Sequence, residues 1–253
     1  CYDKFDFWGE ADVYFDYDEK GNTRFLSIQF RPQYQYLDQN KEAEERIYEG
    51  ETPGVSYGDI AERYYTVGQY MKEVKDVSKA MAAAGDSYIC DEYLNAMGSP
   101  EAESVYVLHD LNNDGIEEFF IGLKFNYDIP YYVIYDVYTW KDGRAYQLMR
   151  GIGYRNGSCK ICENGVIEDN YSGSAWDGQT LYHILPEGGI ELETIDSVSS
   201  RRDGTVQSYY HWNELIDENS LQTILEQYQP ESVTYVDCNR ETIEQLRLSG
   251  IRK

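Results

Sequence analysis

VYVLHDLNNDGIEEFFIGLK, residues 105–124, sets two strand-forming runs on either side of a stretch rich in Asp, Asn and Gly. Val105 to Leu108 and then Glu118 to Lys124 are built from β-branched and aromatic residues, so they read as strands joined by a loop. Downstream the same texture continues through residues 131–140 and 144–149 and in further runs up to Trp212. Asp142-Gly143, Asn164-Gly165, Gly188-Gly189 and Asp203-Gly204 punctuate these runs. Such dipeptides supply the positive φ that tight hairpins require. The turns keep no strict period and their flanks do not repeat, so an antiparallel meander fits better than a propeller.

Upstream, Ile60, Tyr64, Val67, Met71, Val74 and Met81 recur at spacings of three, four and seven. That pattern predicts one amphipathic helix over residues 59–84, closed by Gly85, with a shorter helix at 91–97. Before it, Val13, Phe15 and Tyr17, and then Leu26, Ile28 and Phe30, alternate around Glu19-Lys20-Gly21-Asn22, which predicts a hairpin over residues 11–30. Residues 37–54 are charged, poor in apolar side chains and end on Pro53-Gly54, so they read as a linker with a short surface helix. The tail predicts helices at 213–228 and 239–248, separated by Gln229-Pro230 and a strand candidate at 233–236. The class expected is α+β: a helical region, then an antiparallel β meander of hairpins, then C-terminal helices. The division expected is an N-terminal hairpin and acidic linker (residues 1–54) followed by an α+β domain (residues 55–253).

The chain has 253 residues, enough to bury its own core. With 22 Lys plus Arg against 46 Asp plus Glu, its net charge is −24. Such a surface repels phosphate backbones and anionic headgroups, which argues against a nucleic-acid partner. No apolar run approaches the roughly 18 residues a bilayer span needs. A Cys at residue 1 is what signal-peptide removal leaves on a bacterial lipoprotein, where the thiol carries the lipid. The expectation is therefore an extracellular or cell-surface protein, monomeric, touching membrane only through such an anchor. An arbitrary boundary at that Cys is the alternative. Cys90, Cys159, Cys162 and Cys238 form an even set open to any of three disulfide pairings or to inert thiols. Cys159-Lys-Ile-Cys162 runs into a Glu-Asn-Gly turn rather than a helix N-terminus, and no second close-spaced pair exists, so redox and zinc chemistry are disfavoured.

The loop holds the most specific signal. Asp110, Asn112 and Asp114 place oxygens at alternating positions, Gly115 permits a sharp turn, Ile116 offers a backbone carbonyl, and Glu118 closes from position nine. Oxygen-only donors on a flexible loop favour Ca²⁺ over zinc and Mg²⁺. Position twelve is Ile121 and not the bidentate Glu of a helical site, so affinity is expected in the weak extracellular range of roughly 0.1 to 1 mM. The same residues would also make an Asx-rich turn holding no metal. The D-x-N-x-D-G run matches the start of an EF-hand loop. Its position between strands resembles the loops of integrin-type FG-GAP repeats and, in part, dockerin loops. Over residues 57–212 the combination of helical region, Tyr-rich strand, D-x-N-x-D-G-x-x-E loop and hairpins resembles uncharacterised secreted lipoproteins of Gram-positive anaerobes. That resemblance implies surface attachment and calcium, and brings no catalytic residue with it.

Catalytic constellations are sparse. The three histidines, His109, His183 and His211, stand apart in sequence, and no Ser lies in a G-x-S-x-G elbow. Cys159 or Cys162 with His183 is the only thiol–imidazole pairing to weigh. Acidic neighbours such as Glu168-Asp169, or Asp177 beside Trp176, would serve a glycosidase only if two carboxylates faced each other across a cleft. Trp8, Trp140, Trp176 and Trp212, with 26 tyrosines, could line a binding face or simply pack hairpins. The reading is a calcium-stabilised, non-catalytic binding module for a cell-surface glycan or protein. The alternatives are a secreted carbohydrate-active hydrolase with structural calcium, and an accessory domain of a larger wall protein.

Overall fold

Alternating apolar residues give the first unit, Cys1–Glu45, its hairpin: β1 (Glu10–Tyr17) pairs antiparallel with β2 (Thr23–Arg31). The register steps by one residue between Tyr14 and Phe15, a bulge that sets Phe15 opposite Phe25. The computed structural model describes residues 10–17, 23–31, 47–51, 56–84, 89–153, 159–172, 176–186, 189–199, 206–212 and 214–249. Cys1, the expected turn at 19–22 and the Asp203-Gly204 turn lie outside the described residues.

The second unit, Arg46–Lys253, combines helices with two six-stranded antiparallel sheets, an α+β architecture. Part of the stretch expected to be linker is instead a strand, β3 (Ile47–Glu51), which pairs with β7 (Arg144–Arg150) at the edge of the first sheet. Strands therefore precede as well as follow the helices. Helix α1 (Tyr57–Val74) starts at Ser56, whose hydroxyl accepts from Asp59 N–H while the Asp59 carboxylate accepts from Ser56 N–H, a reciprocal cap.

The single helix expected over 59–84 is two. Lys75 turns left-handed (φ 52°), and the Asp76 carboxylate then accepts from Lys79 N–H at 3.1 Å, starting α2 (Val77–Ala84). Left-handed Lys75 ends one helix and the Asp76 carboxylate caps the next, an event the apolar spacing does not register. Val74 is accordingly exposed rather than part of the stripe.

Helix α3 (Asp91–Met97) leads into β4 (Ala102–His109), β5 (Glu118–Phe125), β6 (Tyr131–Lys141) and β7. The first sheet has the order β14-β4-β5-β6-β7-β3, with β14 (Val236–Asp237) shorter and later than the strand candidate at 233–236. The second sheet runs β13-β12-β11-β10-β9-β8, from β8 (Cys159–Cys162), β9 (Val166–Ser172), β10 (Trp176–Ile184), β11 (Ile190–Ser199) and β12 (Val206–His211) to β13 (Glu214–Ile216). β13 occupies what was expected to be the first turn of a helix. Asp217 explains this: its carboxylate accepts from Ser220 N–H at 2.7 Å and fixes the start of α4 at Glu218–Leu225. Helix α5 (Arg240–Ser249) follows Asn239, whose side chain caps it through Glu241 and Thr242 N–H.

The stripe Ile60, Tyr64, Val67 and Met71 packs with Tyr106, Phe119, Ile121, Leu123 and Tyr135 on one face of the first sheet. Phe120, which points the other way from β5, is equally buried. On the second sheet, α4 covers Leu181 and Ile195 through Leu221, with Ile224 and Leu225 beside it. Cys90, Cys159, Cys162 and Cys238 are buried free thiols, the inert-thiol alternative of the two that the sequence left open. Burial pushes the Cys162 and Cys238 thiols up to about 12, so they pack as small apolar groups rather than react.

One ionisable group sits within this core. Asp136 is fully buried, accepting from Tyr64 Oη at 2.6 Å and from Gly151 N–H at 3.0 Å, while Tyr64 also meets Tyr138 Oη at 2.8 Å. Burial raises the Asp136 carboxyl to about 6 against these hydrogen bonds. Between 3.8 and about 6 the folded chain keeps a proton that the unfolded chain releases, so stability falls as pH rises through that window. We predict that Asp136→Asn flattens that fall, worth on the order of 2–3 kcal/mol, in denaturant titrations at stepped pH. Tyr64→Phe, which removes a donor to a buried carboxylate, is expected to cost about 1.5–3 kcal/mol in the same assay.

Candidate functional site

The β4–β5 connection is bounded by the pair His109 and Glu118, and every predicted loop residue lies within it or at its edge. Asn113 and Gly115 adopt positive φ (59° and 87°), which curls the backbone so that its N–H groups face the side-chain oxygens. A Cβ on Gly115 would meet nothing within 4 Å, so its glycine answers to backbone conformation rather than space. Asp110 Oδ1 accepts from Asp114 N–H at 3.1 Å and Asp110 Oδ2 from Gly115 N–H at 3.0 Å. Asn112 Oδ1 accepts from Asp114 N–H at 3.2 Å, and Asp114 Oδ1 from Ile116 N–H at 2.7 Å.

The loop is tied to both sheets. Asn112 Nδ2 donates to Leu185 O at 3.1 Å, beyond the end of β10, which fixes the amide so that its oxygen faces the turn. The Asn164-Gly165 turn packs against Leu111 and Asn112, since a Cβ on Gly165 would come within 3.5 Å of Leu111 O. Glu118, fully buried, accepts from Leu111 N–H at 3.0 Å and Thr139 Oγ1 at 3.1 Å, bracing the loop from beneath. Burial pushes its carboxyl up to about 7, against those two hydrogen bonds, with Asp114 and Asp110 adding to the rise. Tyr57 Oη donates to Glu117 O at 2.8 Å, so α1 holds the far side.

The donor set fits a hard cation by its chemistry. Asp110 and Asp114 each accept two hydrogen bonds within the loop out of roughly four lone-pair sites, leaving capacity for a divalent ion. Among the described residues, no three His, Cys, Asp or Glu side chains meet as a metal-holding group. The loop would therefore rely on Asp110, Asp114, the Asn112 amide and backbone oxygen, with Glu118 behind them.

The other sequence candidates disperse. His109 pairs with Glu231 at 2.9 Å. Glu168 and Asp169 are neighbours on β9 and point to opposite faces: Glu168 accepts from Asn170 Nδ2 and Lys160 Nζ, whereas Asp169 accepts from Gly153 N–H. Cys162 donates to Glu168 at 3.7 Å, and His183 bonds a different carboxylate. Trp8 and the side chains of Trp176 and Asp177 lie outside the described residues.

That different carboxylate centres a cluster that sequence reading misses. Glu193 on β11 is buried and bonds His183 Nε2 of β10 at 2.9 Å, His211 Nε2 of β12 at 2.7 Å and Tyr228 Oη at 2.7 Å. Burial alone would raise its pKa, but the donors from His183, Tyr228 and His211 outweigh it and hold the carboxyl at about 2. An ionised carboxylate only accepts, so both Nε2 atoms carry hydrogen. The two imidazoles are spent on separate oxygens of one carboxylate, which makes the cluster a brace across three strands. Glu193 stands 10 and 18 positions from the two histidines, which strand pairing brings to it, and 35 from Tyr228.

Because the depressed carboxylate contributes stability above about 4.5 that is lost as pH falls toward about 2, Glu193→Gln is expected to show its deficit at neutral pH. A neutral amide cannot accept from three donors, so the deficit should be roughly 1–3 kcal/mol, narrowing as wild type and variant converge in acid. Denaturant midpoints at pH 7, 4.5 and 2.5 read this directly.

No family model matches this chain, and no curated protein or solved structure matches it either, so its own residues carry the functional reading.

Proposed function

We propose that this protein is a secreted or cell-surface binding module, non-catalytic, whose β4–β5 loop holds Ca²⁺ as a stabiliser. The observation that carries the reading is the convergence of Asp110, Asn112 and Asp114 oxygens on one turn whose Asn112 amide is tied to Leu185. A cation there would offset part of a −24 net charge and lock the two sheets to the same loop. Asp110, Asp114 and Asn112 would hold it, with Ile116 through its carbonyl. Among the described residues no helix is long and apolar enough to cross a membrane.

The other end of β5 supports the binding half of the reading. Tyr127, Ile129 and Tyr131 are 51, 83 and 47% exposed on the β5–β6 hairpin. The Tyr127 and Tyr131 rings lie within 15° of parallel to buried Phe125, at 6.2 and 4.8 Å between centroids. Eight residues of β5 at about 3.3 Å each separate this tip from the cation loop by roughly 25 Å. Calcium would therefore act on the frame and not bridge the ligand.

In a thermal melt of chelator-stripped protein, calcium at ten times Kd should add about 1.4 kcal/mol, a rise of about 3–6 °C, and magnesium much less. Asp110→Ala with Asp114→Ala should abolish the rise; the same rise in the double variant, or none in wild type, would overturn the assignment. Adsorption to a purified bacterial cell-wall preparation tests the tip. Tyr127→Ser with Tyr131→Ser should weaken it at unchanged melting temperature, and undiminished adsorption would remove the tip from the binding surface.

A further inference from the structure

β8 stands at one end of the second sheet, and its Lys160 pairs in register with Glu168 of β9. Asn170 lies two residues further along β9, so all three side chains leave the same face of the sheet. They meet there. Glu168 Oε1 accepts from Lys160 Nζ at 3.1 Å and from Asn170 Nδ2 at 2.6 Å, with Gln179 Nε2 of β10 on the same oxygen at 3.3 Å. Two nitrogens held by one oxygen lie within about 6 Å of each other, so the carboxylate stands between an amine and a carboxamide.

The setting is not that of an ordinary surface ion pair. The Glu168 side chain is 7% exposed against 44% for Lys160, so the lysine reaches inward from the end strand to a buried carboxylate. Cys162 Sγ donates to its other oxygen at 3.7 Å, and Cys162, Val166 and Leu181 form buried apolar surroundings on that face. A primary amine, a carboxamide carbon and a carboxyl group able to carry protons between them are the complete set for amide exchange.

We propose that Lys160 and Asn170 join in an intramolecular isopeptide bond that the folded chain forms by itself, with Glu168 as the proton carrier. Glu168 takes a proton from the Lys160 ammonium, and the neutral Nζ attacks Asn170 Cγ. As the Nζ–Cγ bond forms, Glu168 delivers that proton to Nδ2 and takes a second from Nζ. The Cγ–Nδ2 bond breaks and ammonia leaves, recovering the last proton as ammonium. Ammonium side chain plus carboxamide thus become secondary amide plus ammonium ion, with no oxidant, reductant or further reactant. The product fastens β8 to β9, so the sheet cannot peel from that end. It is independent of the calcium loop and of the Tyr127–Tyr131 tip.

Intact-mass measurement of the full chain, followed by peptide mapping, tests it. Folded wild type should weigh about 17 Da less than its sequence, the mass of the ammonia lost. Cleavage after Glu163 and Glu168 should leave the segments bearing residues 160 and 170 joined, with fragmentation placing the branch at Asn170. Lys160→Arg, which keeps the charge, and Glu168→Gln should each show the full linear mass, with a cooperative melt to show that they fold. Linear mass in wild type would overturn the proposal, as would the same loss in either folded variant or a branch at Gln179. A loss of the same size with the two segments separated would overturn it too, in favour of a cyclised Asn-Gly pair.

Discussion

A strand buried on both faces must pair along both edges, because no water reaches its backbone, and β5 sets this constraint for the second unit. Every residue from Glu118 to Phe125 except Lys124 is buried, and β4 and β6 flank it in antiparallel register. At Gly122 a Cβ would come within 2.1 Å of Val133 O, so the irregular step beside it tolerates no side chain. Helices α1, α2, α3 and α5 share the core on one face of its sheet, and the two ends of β5 carry the acidic loop and the aromatic tip. Strand, loop and tip are thus one continuous mechanical element.

Polar groups placed inside the second unit show how burial and hydrogen-bond supply together decide ionisation. Asp136 accepts from Tyr64, Gly151 and Cys90 and still remains raised to about 6 by burial. Glu193, with three donors, two of them imidazoles, is pulled down to about 2. Burial acts in the same direction on both; Asp136 is enclosed completely and Glu193 less deeply, so the donors outweigh burial only at Glu193. Glu118 falls in the first group, raised to about 7 beneath two acidic side chains. A cation in the loop above it would relieve the same crowding of negative charge that raises it.

Much of this was legible because it is local. The 105–124 segment reads as strand, Asx-rich loop and strand, and the structure keeps that order, with Gly115 left-handed at the turn. Positive φ at Asp142-Gly143 and Asn164-Gly165 follows from the same short-range sterics. Two of the misreadings share a cause. Asp76 and Asp217 each cap a new helix start, one after the left-handed break at Lys75 and one after β13, that apolar spacing does not register. β3 is too short and polar to announce itself, and it is a strand because the edge of β7 is open to it.

The sequence by itself determined the chemistry available: oxygen donors at Asp110, Asn112 and Asp114, a large excess of carboxylates, and strands closed by Asn-Gly and Asp-Gly turns. Those are properties of residue type and near-neighbour spacing, which one-dimensional order preserves. Tertiary structure alone decided which side chains meet. It set Glu193 between two histidines that sequence holds apart, parted Glu168 from Asp169 although they are adjacent, and tied Asn112 to Leu185 73 residues away. The physical reason is strand register: a shift of one residue reverses every side chain on a strand, so contacts across a sheet exist only once pairing is set.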